Sequence, residues 1–143
     1  MERKATAVWT GGLKDGNGRL ATDSGVLSET HYSFGKRFED EPGTNPEELI
    51  GAAHAGCFSM ALAGQMAAAG VTPTSIRTTA TVSLEKQESG FAITGVHLGV
   101  RAEGDGDEEA FQTAARNAKE GCPVSRALAV PITMDAQLSV SAS

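Results

Sequence analysis

The sequence has few of the residues that define several large classes of protein. Only two of its 143 residues are cysteine, and aromatic residues make up 5% of it. Two cysteines are too few for a small secreted scaffold that depends on disulfides, and a chain of this length can bury enough surface to fold without them. We therefore expect a single domain spanning residues 1–143 in a reducing cytoplasm.

Long apolar runs and clusters of basic residues are also missing. The longest apolar stretch, residues 49–69, contains His54, Gln65 and several glycines, which are too polar or too small for a membrane span. Residues 1–4 lead into an alternating segment and not into the apolar core of a signal peptide. With 18 acidic and 12 basic residues the net charge is −6, so we expect neither a nucleic-acid partner nor a membrane partner.

The N-terminal part of the sequence predicts a β-hairpin or meander. Strand-forming residues at 5–10 and 19–22 are separated by the glycine-rich turn signals of residues 11–18. Tyr32 and Phe34 alternate with polar neighbours, which predicts a third short strand. An acidic loop follows this strand.

A long helix is predicted from about Pro46 to Ala69. Asn45 is a suitable N-cap, Pro46 suits the first helical position, and Glu48 is placed to complete a capping box. Gly70 ends the helix. The alanine-rich and glycine-rich composition predicts burial on most sides and the close approach of another helix or sheet.

A second hairpin is predicted after this helix. Apolar and polar residues alternate over 76–84 and again over 91–102. The alternation changes phase at Gly95, which predicts a β-bulge there.

Two more helices and a last strand complete the predicted elements. An amphipathic helix covers 107–120, a shorter one runs from Cys122 to about Leu128, and a strand covers 131–140. Strands and helices are segregated along the chain and do not strictly alternate. This order predicts an α+β fold with antiparallel sheet.

The two cysteines are the residues most suited to chemistry. Cys57 lies on the long helix, and Cys122 follows a glycine helix stop and precedes a proline that opens the next helix. A thiol is a nucleophile only as the thiolate, and burial raises its pKa unless a cation or a helix N-terminus offsets that cost. The candidates near Cys57 are His54, one helical turn away, and Arg37, whose guanidinium is always charged.

Glu47 is a candidate partner for Arg37, because a carboxylate can hold a guanidinium by a bidentate pair. Glu47 precedes Cys57 by ten residues, which is about 15 Å along a straight helix. Arg37 could span the gap, the helix could bend, or Glu47 could belong to the site of a partner subunit whose helix runs antiparallel. We favour the third arrangement, since a helix rich in small residues suits close packing at an isologous interface.

Each of these residues also has a structural explanation. Lone cysteines often only pack in the core, and His54 can be a core or interface histidine. Glu47 and Glu48 suit a helix N-terminus, and Arg37 can pair with the acidic residues at 39–40. The sequence contains no recognisable zinc or calcium motif, so we expect no metal.

Two motifs carry a resemblance to a known family. Residues 37–62 contain Ala-His-Ala-Gly-Cys-Phe-Ser around Cys57, and residues 118–125 read Ala-Lys-Glu-Gly-Cys-Pro-Val-Ser. Both are similar to motifs of the thiol peroxidases of the osmotically inducible protein C (OsmC) and organic hydroperoxide resistance (Ohr) family, and agreement extends over nearly the whole chain. The position of Arg37 just before the acidic loop resembles the OsmC branch more than the Ohr branch.

The resemblance implies both an assembly and an activity. The assembly is an intertwined homodimer, in which antiparallel sheets wrap two central helices and two active sites lie at the subunit interface. The activity is that of a peroxidase, the reduction of organic hydroperoxides to alcohols in oxidative and osmotic stress. By position, Cys57 resembles the peroxidatic cysteine, Cys122 the resolving cysteine, Arg37 the arginine that stabilises the thiolate, and Glu47 the carboxylate partner of that arginine.

The implied reaction passes through a sulfenic acid on Cys57 and then a Cys57–Cys122 disulfide. A dithiol, such as the dihydrolipoyl group of a lipoylated protein or a small dithiol, resets the enzyme, and no bound cofactor is expected. Two alternatives remain. One is a thiol redox sensor or stress-induced binding protein without turnover, and the other is a structural dimer whose cysteines only pack.

Overall fold

The computed structural model describes residues 1–140 of the chain. Its contacts divide the chain into two compact units, which meet between Leu49 and Ile50, inside the long helix. Each unit is described by itself below. The single domain expected from the sequence stays a prediction. Among the described residues, none of the helices combines the length and the apolar character that crossing a membrane requires.

Unit 1 contains a three-stranded antiparallel sheet in the order β1-β2-β3. The strands are β1 (Ala5–Thr10), β2 (Asn17–Thr22) and β3 (Thr30–Tyr32). Trp9 of β1 lies opposite Gly18 of β2, which in turn lies opposite Tyr32 of β3. The missing side chain at Gly18 lets the rings of Trp9 and Tyr32 approach to 5.6 Å between centroids. The predicted meander is therefore present.

Phe34 is placed wrongly by the sequence pattern. Strand β3 ends at Tyr32, and Ser33 then caps a short helix, α1 (Phe34–Phe38), because its Oγ accepts a hydrogen bond from the backbone N–H of Lys36 at 3.2 Å. Phe34 and Phe38 lie one turn apart with ring centroids at 4.9 Å. A spacing that resembles alternation over two residues is here the start of a helical pattern.

The long helix, α2 (Pro46–Ala68), begins and ends as the sequence predicts. Asn45 Oδ1 accepts a hydrogen bond from the backbone N–H of Glu48 at 2.8 Å, which satisfies a donor of the first turn. Gly70 follows the helix with φ of +75°, a conformation that glycine adopts without strain. The N-cap and the glycine stop are both confirmed.

Burial of α2 differs from the expectation. Within unit 2, its buried side chains recur every four residues and form one face: His54, Phe58, Leu62 and Met66. The opposite face of small residues is exposed in the single chain, and Met60 on it is 80% exposed. Burial on most sides is therefore wrong for one protomer.

The sheet of unit 2 has the order β4-β5-β6. Strands β4 (Thr72–Gln87) and β5 (Gly90–Asp105) form the predicted antiparallel hairpin. Ser83 pairs with Gly95 and Leu84 pairs with Ile93, so the predicted bulge is confirmed.

The last strand adds a parallel pair to the expected antiparallel sheet. Strand β6 (Ile132–Ser139) pairs with β5 in parallel. Helices α3 (Glu108–Gly121) and α4 (Pro123–Ala127) form the crossover that a parallel pair requires. The fold is α+β with one antiparallel and one mixed sheet.

The core of unit 2 is made by α2, β5 and α3. The predicted inward residues of α3 are all buried: Phe111, Ala114, Ala115 and Ala118. Strand β5 adds Val96, Leu98, Val100 and Ala102. This core also contains Cys122, which is fully buried.

Candidate active site

The two cysteines lie in direct contact. Cys57, on α2, is half-buried, and its thiol forms a hydrogen bond with the sulfur of Cys122. Both are free thiols. Residues that are far apart in the sequence are thus adjacent in unit 2, and the contact places two sulfur atoms where they can react with each other.

Cys122 is held by the junction of α3 and α4. Its backbone N–H donates to the carbonyl of Ala118 at 3.0 Å and so closes α3. Its Sγ accepts a hydrogen bond from the backbone N–H of Ser125 at 3.5 Å and so caps α4, with Pro123 at the first helical position. The sulfur therefore performs the capping role that a serine or aspartate oxygen usually has.

The surroundings shift the two thiols in opposite directions. Burial raises the pKa of Cys57, and its hydrogen bond with Cys122 raises it further. Burial would also raise the pKa of Cys122, but hydrogen bonds from the Cys57 thiol and from Ser125 outweigh burial and lower that pKa. The two thiols therefore titrate as a coupled pair within unit 2.

The predicted pair of Arg37 and Glu47 is present in unit 1. Arg37 Nη2 donates to Glu47 Oε1 at 2.8 Å, and Arg37 Nε donates to the same oxygen at 3.1 Å and to Oε2 at 3.3 Å. Glu47 is buried, whereas the Arg37 side chain is 39% exposed and lies over the ring of Phe38. Arg37 therefore pairs with Glu47, and the alternative of a pair with the acidic loop is not what the structure contains.

Arg37 also lines an apolar cleft in unit 1. The cleft has a volume of about 260 Å³ and is lined by Trp9, Leu13, Tyr32, Ser33, Phe34, Arg37 and Phe38. Most of these side chains are aromatic, and Arg37 is the cation among them. Such a cleft suits an organic group attached to a polar or anionic end.

The two candidate pairs belong to different units. Arg37 and Glu47 are in unit 1, and Cys57 and Cys122 are in unit 2. That Arg37 stabilises Cys57, from the same subunit or from a partner, stays a prediction.

His54 is fully buried and lies 2.7 Å from Ser125 Oγ through its Nε2. Burial lowers the pKa of His54, so the neutral imidazole is favoured. His54 is therefore a poor candidate for the cation beside Cys57. Sequence reasoning misses Ser125, whose only signal is its position three residues after a helix-capping cysteine.

Among residues 1–140, no three or more His, Cys, Asp or Glu side chains are grouped so that they could hold a metal ion. The expectation that no bound cofactor is needed stays a prediction.

The sequence matches a known family over most of its length. Residues 38–136 match the family described as OsmC-like protein. Peroxiredoxin OsmC of Escherichia coli strain K12 is 52% identical over 139 residues, which cover 96% of this chain and 97% of that protein. The organic hydroperoxide resistance protein OhrB of Bacillus subtilis strain 168 is 38% identical over 112 residues, with coverage of 77% and 80%.

Solved structures show the same fold. The crystal structure of Bacillus subtilis OhrB superposes with a TM-score of 0.71 at 31% identity, over 95% of this chain and 98% of that one. An organic hydroperoxide resistance protein OsmC from Legionella pneumophila superposes with a TM-score of 0.69 at 29% identity, over 97% of both chains.

Proposed function

Because this chain belongs to the OsmC-like family, we propose that it is a thiol peroxidase that reduces organic hydroperoxides to alcohols. The observation that carries the proposal is the contact between Cys57 and Cys122. The name peroxiredoxin on a relative that is 52% identical, and the name organic hydroperoxide resistance protein on a second relative, support it.

The proposed reaction begins at Cys57. Its thiolate attacks one peroxide oxygen, so that an S–O bond forms, the O–O bond breaks, and the departing alkoxide takes a proton to give the alcohol. The sulfur of Cys122 then attacks the sulfenic acid, an S–S bond forms, and hydroxide leaves and takes a proton to become water.

Arg37 has a defined task in this proposal. Within unit 2 burial and the Cys122 side chain raise the pKa of Cys57, and none of the interactions that shift this pKa comes from a cation in the described residues. Peroxide reduction needs the charge on Cys57. We assign the stabilisation of a thiolate on Cys57 to the guanidinium of Arg37, which Glu47 holds in position.

The cleft beside Arg37 supports an organic substrate over hydrogen peroxide. A hydroperoxide whose oxygen atoms meet Arg37 presents its organic group to the rings of Trp9, Tyr32 and Phe34. Burial of apolar surface favours such a ligand, and hydrogen peroxide has no group to bury.

We also propose a homodimer that packs through α2. A Cβ atom built at Gly56 or at Gly64 meets nothing within 4 Å in the single chain, and Met60 lies exposed between them. Small residues along a helix allow close approach of a second helix. This surface therefore fits the intertwined dimer that the resemblance implies.

The reductant is proposed to be a dithiol. One thiol opens the Cys57–Cys122 disulfide as a mixed disulfide, and a second thiol on the same molecule releases the reduced enzyme. A dihydrolipoyl group, on a lipoylated protein or as a small dithiol, has this chemistry. The cytoplasmic location and the role in oxidative and osmotic stress stay predictions.

Consumption of cumene hydroperoxide by the purified protein with excess dihydrolipoamide tests this function. Sustained turnover that exceeds the rate with hydrogen peroxide is expected, and Cys57→Ser is expected to abolish it. A single equivalent consumed would instead support the redox sensor, and no consumption would support a structural dimer.

A further inference from the structure

His54 is a buried polar residue whose hydrogen bonds are only half made. Its side chain is 0% exposed, its Nε2 bonds Ser125 Oγ at 2.7 Å, and its Nδ1 is buried without a hydrogen-bond partner in the described part of the chain. A half-satisfied buried imidazole costs more than an apolar side chain of similar size. Packing alone therefore does not explain a histidine at this position.

Ser125 connects His54 to the reactive sulfur. Its hydroxyl lies 2.7 Å from His54 Nε2 on one side, and on the other it is close enough to Cys122 to lower the pKa of that thiol. Its backbone N–H also donates to the same sulfur at 3.5 Å. The three side chains form a continuous chain of contacts, and Cys122 continues it to Cys57.

The direction of the single hydroxyl proton of Ser125 decides whether these contacts can stabilise a thiolate on Cys122. If Nε2 of neutral His54 carries the hydrogen, it donates to Ser125 Oγ, and the hydroxyl proton is free to point at Cys122 Sγ. In the other tautomer Ser125 donates to His54 and offers only lone pairs to the sulfur. The first arrangement stabilises a thiolate on Cys122, and it leaves Nδ1 as a buried acceptor without a donor, which is the cost of this tautomer.

We propose that Ser125 and His54 form a hydrogen-bond relay that holds Cys122 as the thiolate that attacks the sulfenic acid of Cys57. Ser125 is then a further catalytic residue, because it touches a reacting sulfur, and His54 is a positioning residue that acts through Ser125. The inference rests on the proposed peroxidase function and adds to it a device for the second step. In that step the S–S bond forms, the S–O bond of Cys57 breaks, and the departing hydroxide becomes water with the proton that the Cys122 thiol gave up to solvent.

Few other groups can account for the titration of Cys122. The titratable side chain that acts on it directly is Cys57, and His54 reaches it only through Ser125. The remaining contributions come from Ser125 and from the backbone of Val124, both on α4, and no charged side chain of the described residues is among the causes. A change in the pH profile of Cys122 therefore reports on the relay.

The first experiment does not depend on peroxidase activity. In a Cys57→Ser background, the ultraviolet absorbance of the remaining thiolate is followed against pH. We expect Ser125→Ala to move the titration of Cys122 upward by about one pH unit, a tenfold loss of thiolate, because a hydrogen bond to a charged group is lost. No movement would overturn the proposal.

Two variants of His54 separate the relay from packing. His54→Gln keeps an amide N–H near the position of Nε2, and His54→Leu removes it. We expect the Leu variant to titrate like Ser125→Ala and the Gln variant to titrate like the unchanged protein. Equal upward shifts in both would overturn the role of His54, and circular dichroism of each variant verifies the fold. If the Leu variant does not fold, the comparison of Ser125→Ala with His54→Gln decides.

A matched control comes from Ser59, a serine of α2 whose hydroxyl also makes a hydrogen bond. Ser59 Oγ lies 2.8 Å from Thr78 Oγ1, partly buried and on the same helix as His54. Ser59→Ala removes a hydroxyl of the same kind, and we expect no shift in the titration of Cys122. An equal shift would mean that any lost hydroxyl in this core has the effect, and would overturn the relay.

The second experiment uses the chain with both cysteines. The reduced protein is mixed with one equivalent of cumene hydroperoxide, quenched with an alkylating agent at intervals and examined by intact mass. We expect Ser125→Ala to lower the ratio of disulfide formation to sulfenic acid formation about tenfold, and an unchanged ratio would overturn the proposal. If the unchanged protein forms no sulfenic acid, the proposed function fails, whereas the titration still decides whether the relay exists.

Discussion

Arg37 donates hydrogen bonds to one carboxylate oxygen of Glu47 from two nitrogen atoms, Nη2 at 2.8 Å and Nε at 3.1 Å. Glu47 is 7% exposed, so solvent competes little for its carboxylate. A charge-assisted pair of this geometry fixes the plane of the guanidinium as well as its position. The outward face of Arg37 is thereby presented in one orientation.

Replacing Glu47 is expected to weaken catalysis without removing the cation. Glu47→Gln keeps the shape of the side chain and loses its charge, so the guanidinium is held less firmly where a thiolate needs it. We expect the rate of sulfenic acid formation to fall roughly tenfold, as for the loss of about one charge-assisted hydrogen bond. Stopped-flow measurement with cumene hydroperoxide tests this.

The control for that variant is Glu41→Gln. Glu41 pairs with Lys36 at 3.8 Å and is half-exposed, so it is a weak surface ion pair. We expect its removal to leave the rate within a factor of about two. Equal losses in the two variants would contradict a specific role for the pair of Arg37 and Glu47.

Replacing Cys122 is expected to stop the reaction between its two steps. In Cys122→Ser the Cys57 thiolate can still attack a peroxide, but no thiol is in contact with the resulting sulfenic acid. We expect that sulfenic acid to accumulate at one per chain, and turnover with dihydrolipoamide to fall at least about tenfold, since the internal resolving thiol is lost. Trapping with dimedone followed by mass spectrometry measures it.

Cys57→Ser is the paired control, because it should give no dimedone adduct at all. An adduct on Cys122 in that variant would exchange the roles of the two cysteines. That outcome is physically reasonable, because hydrogen bonds lower the pKa of Cys122 within unit 2.

Local signals in the sequence were enough for several elements. Asn45 and Gly70 mark the two ends of α2, because a cap and a left-handed glycine act over one turn. The phase change at Gly95 locates the bulge, which is also a local feature. Apolar residues can move from one parity to the other along a strand and stay on the same face only if the strand contains an extra residue.

Features that depend on distant residues were not readable in this way. The alternation of Ile132 to Leu138 is the same whether β6 pairs in parallel or antiparallel, so the sequence could not give its direction. The bond of His54 with Ser125 joins residues 71 positions apart and has no local signal. The pairing of Cys57 with Cys122 was reached through family resemblance, and geometry supplies the contact itself.

Asp135 is expected to make stability depend on pH in acid. Hydrogen bonds from His97 at 3.0 Å and from Arg101 at 3.0 Å lower the pKa of Asp135 below its ordinary value of 3.8. A carboxyl whose pKa is lowered by folding stabilises the folded state above its ordinary pKa, and this contribution is lost as the pH falls through the lowered value.

The expected result is a difference that shrinks in acid. Near neutral pH the unfolding temperature of Asp135→Asn should be lower than that of the unchanged protein. The two unfolding temperatures should converge below about pH 4. Added salt should reduce the difference, because the group is exposed. Asp105→Asn, at the exposed end of β5, controls for the loss of a surface charge, and convergence in that variant as well would remove the specific role of Asp135.

The exposed face of α2 gives a test of the homodimer. Gly64 faces open space in the single chain, so Gly64→Leu should fold and should gain about 0.5–1 kcal/mol of helix propensity within a protomer. At a close contact between two helices the same side chain would hold them apart. We expect light scattering to show a dimer for the unchanged protein and a monomer for this variant, with Gly121→Leu, an equally open position at the end of α3, remaining a dimer.

Activity of the monomeric variant then decides which subunit completes the site. If the partner supplies Arg37 to Cys57, the monomer keeps both thiols but loses the cation, and sulfenic acid formation should fall along with dimerisation. If Arg37 acts within its own chain, the monomer should react with cumene hydroperoxide as fast as the dimer. A variant that remains dimeric would instead show that α2 does not form the interface, because a leucine cannot be placed between helices that approach over glycine.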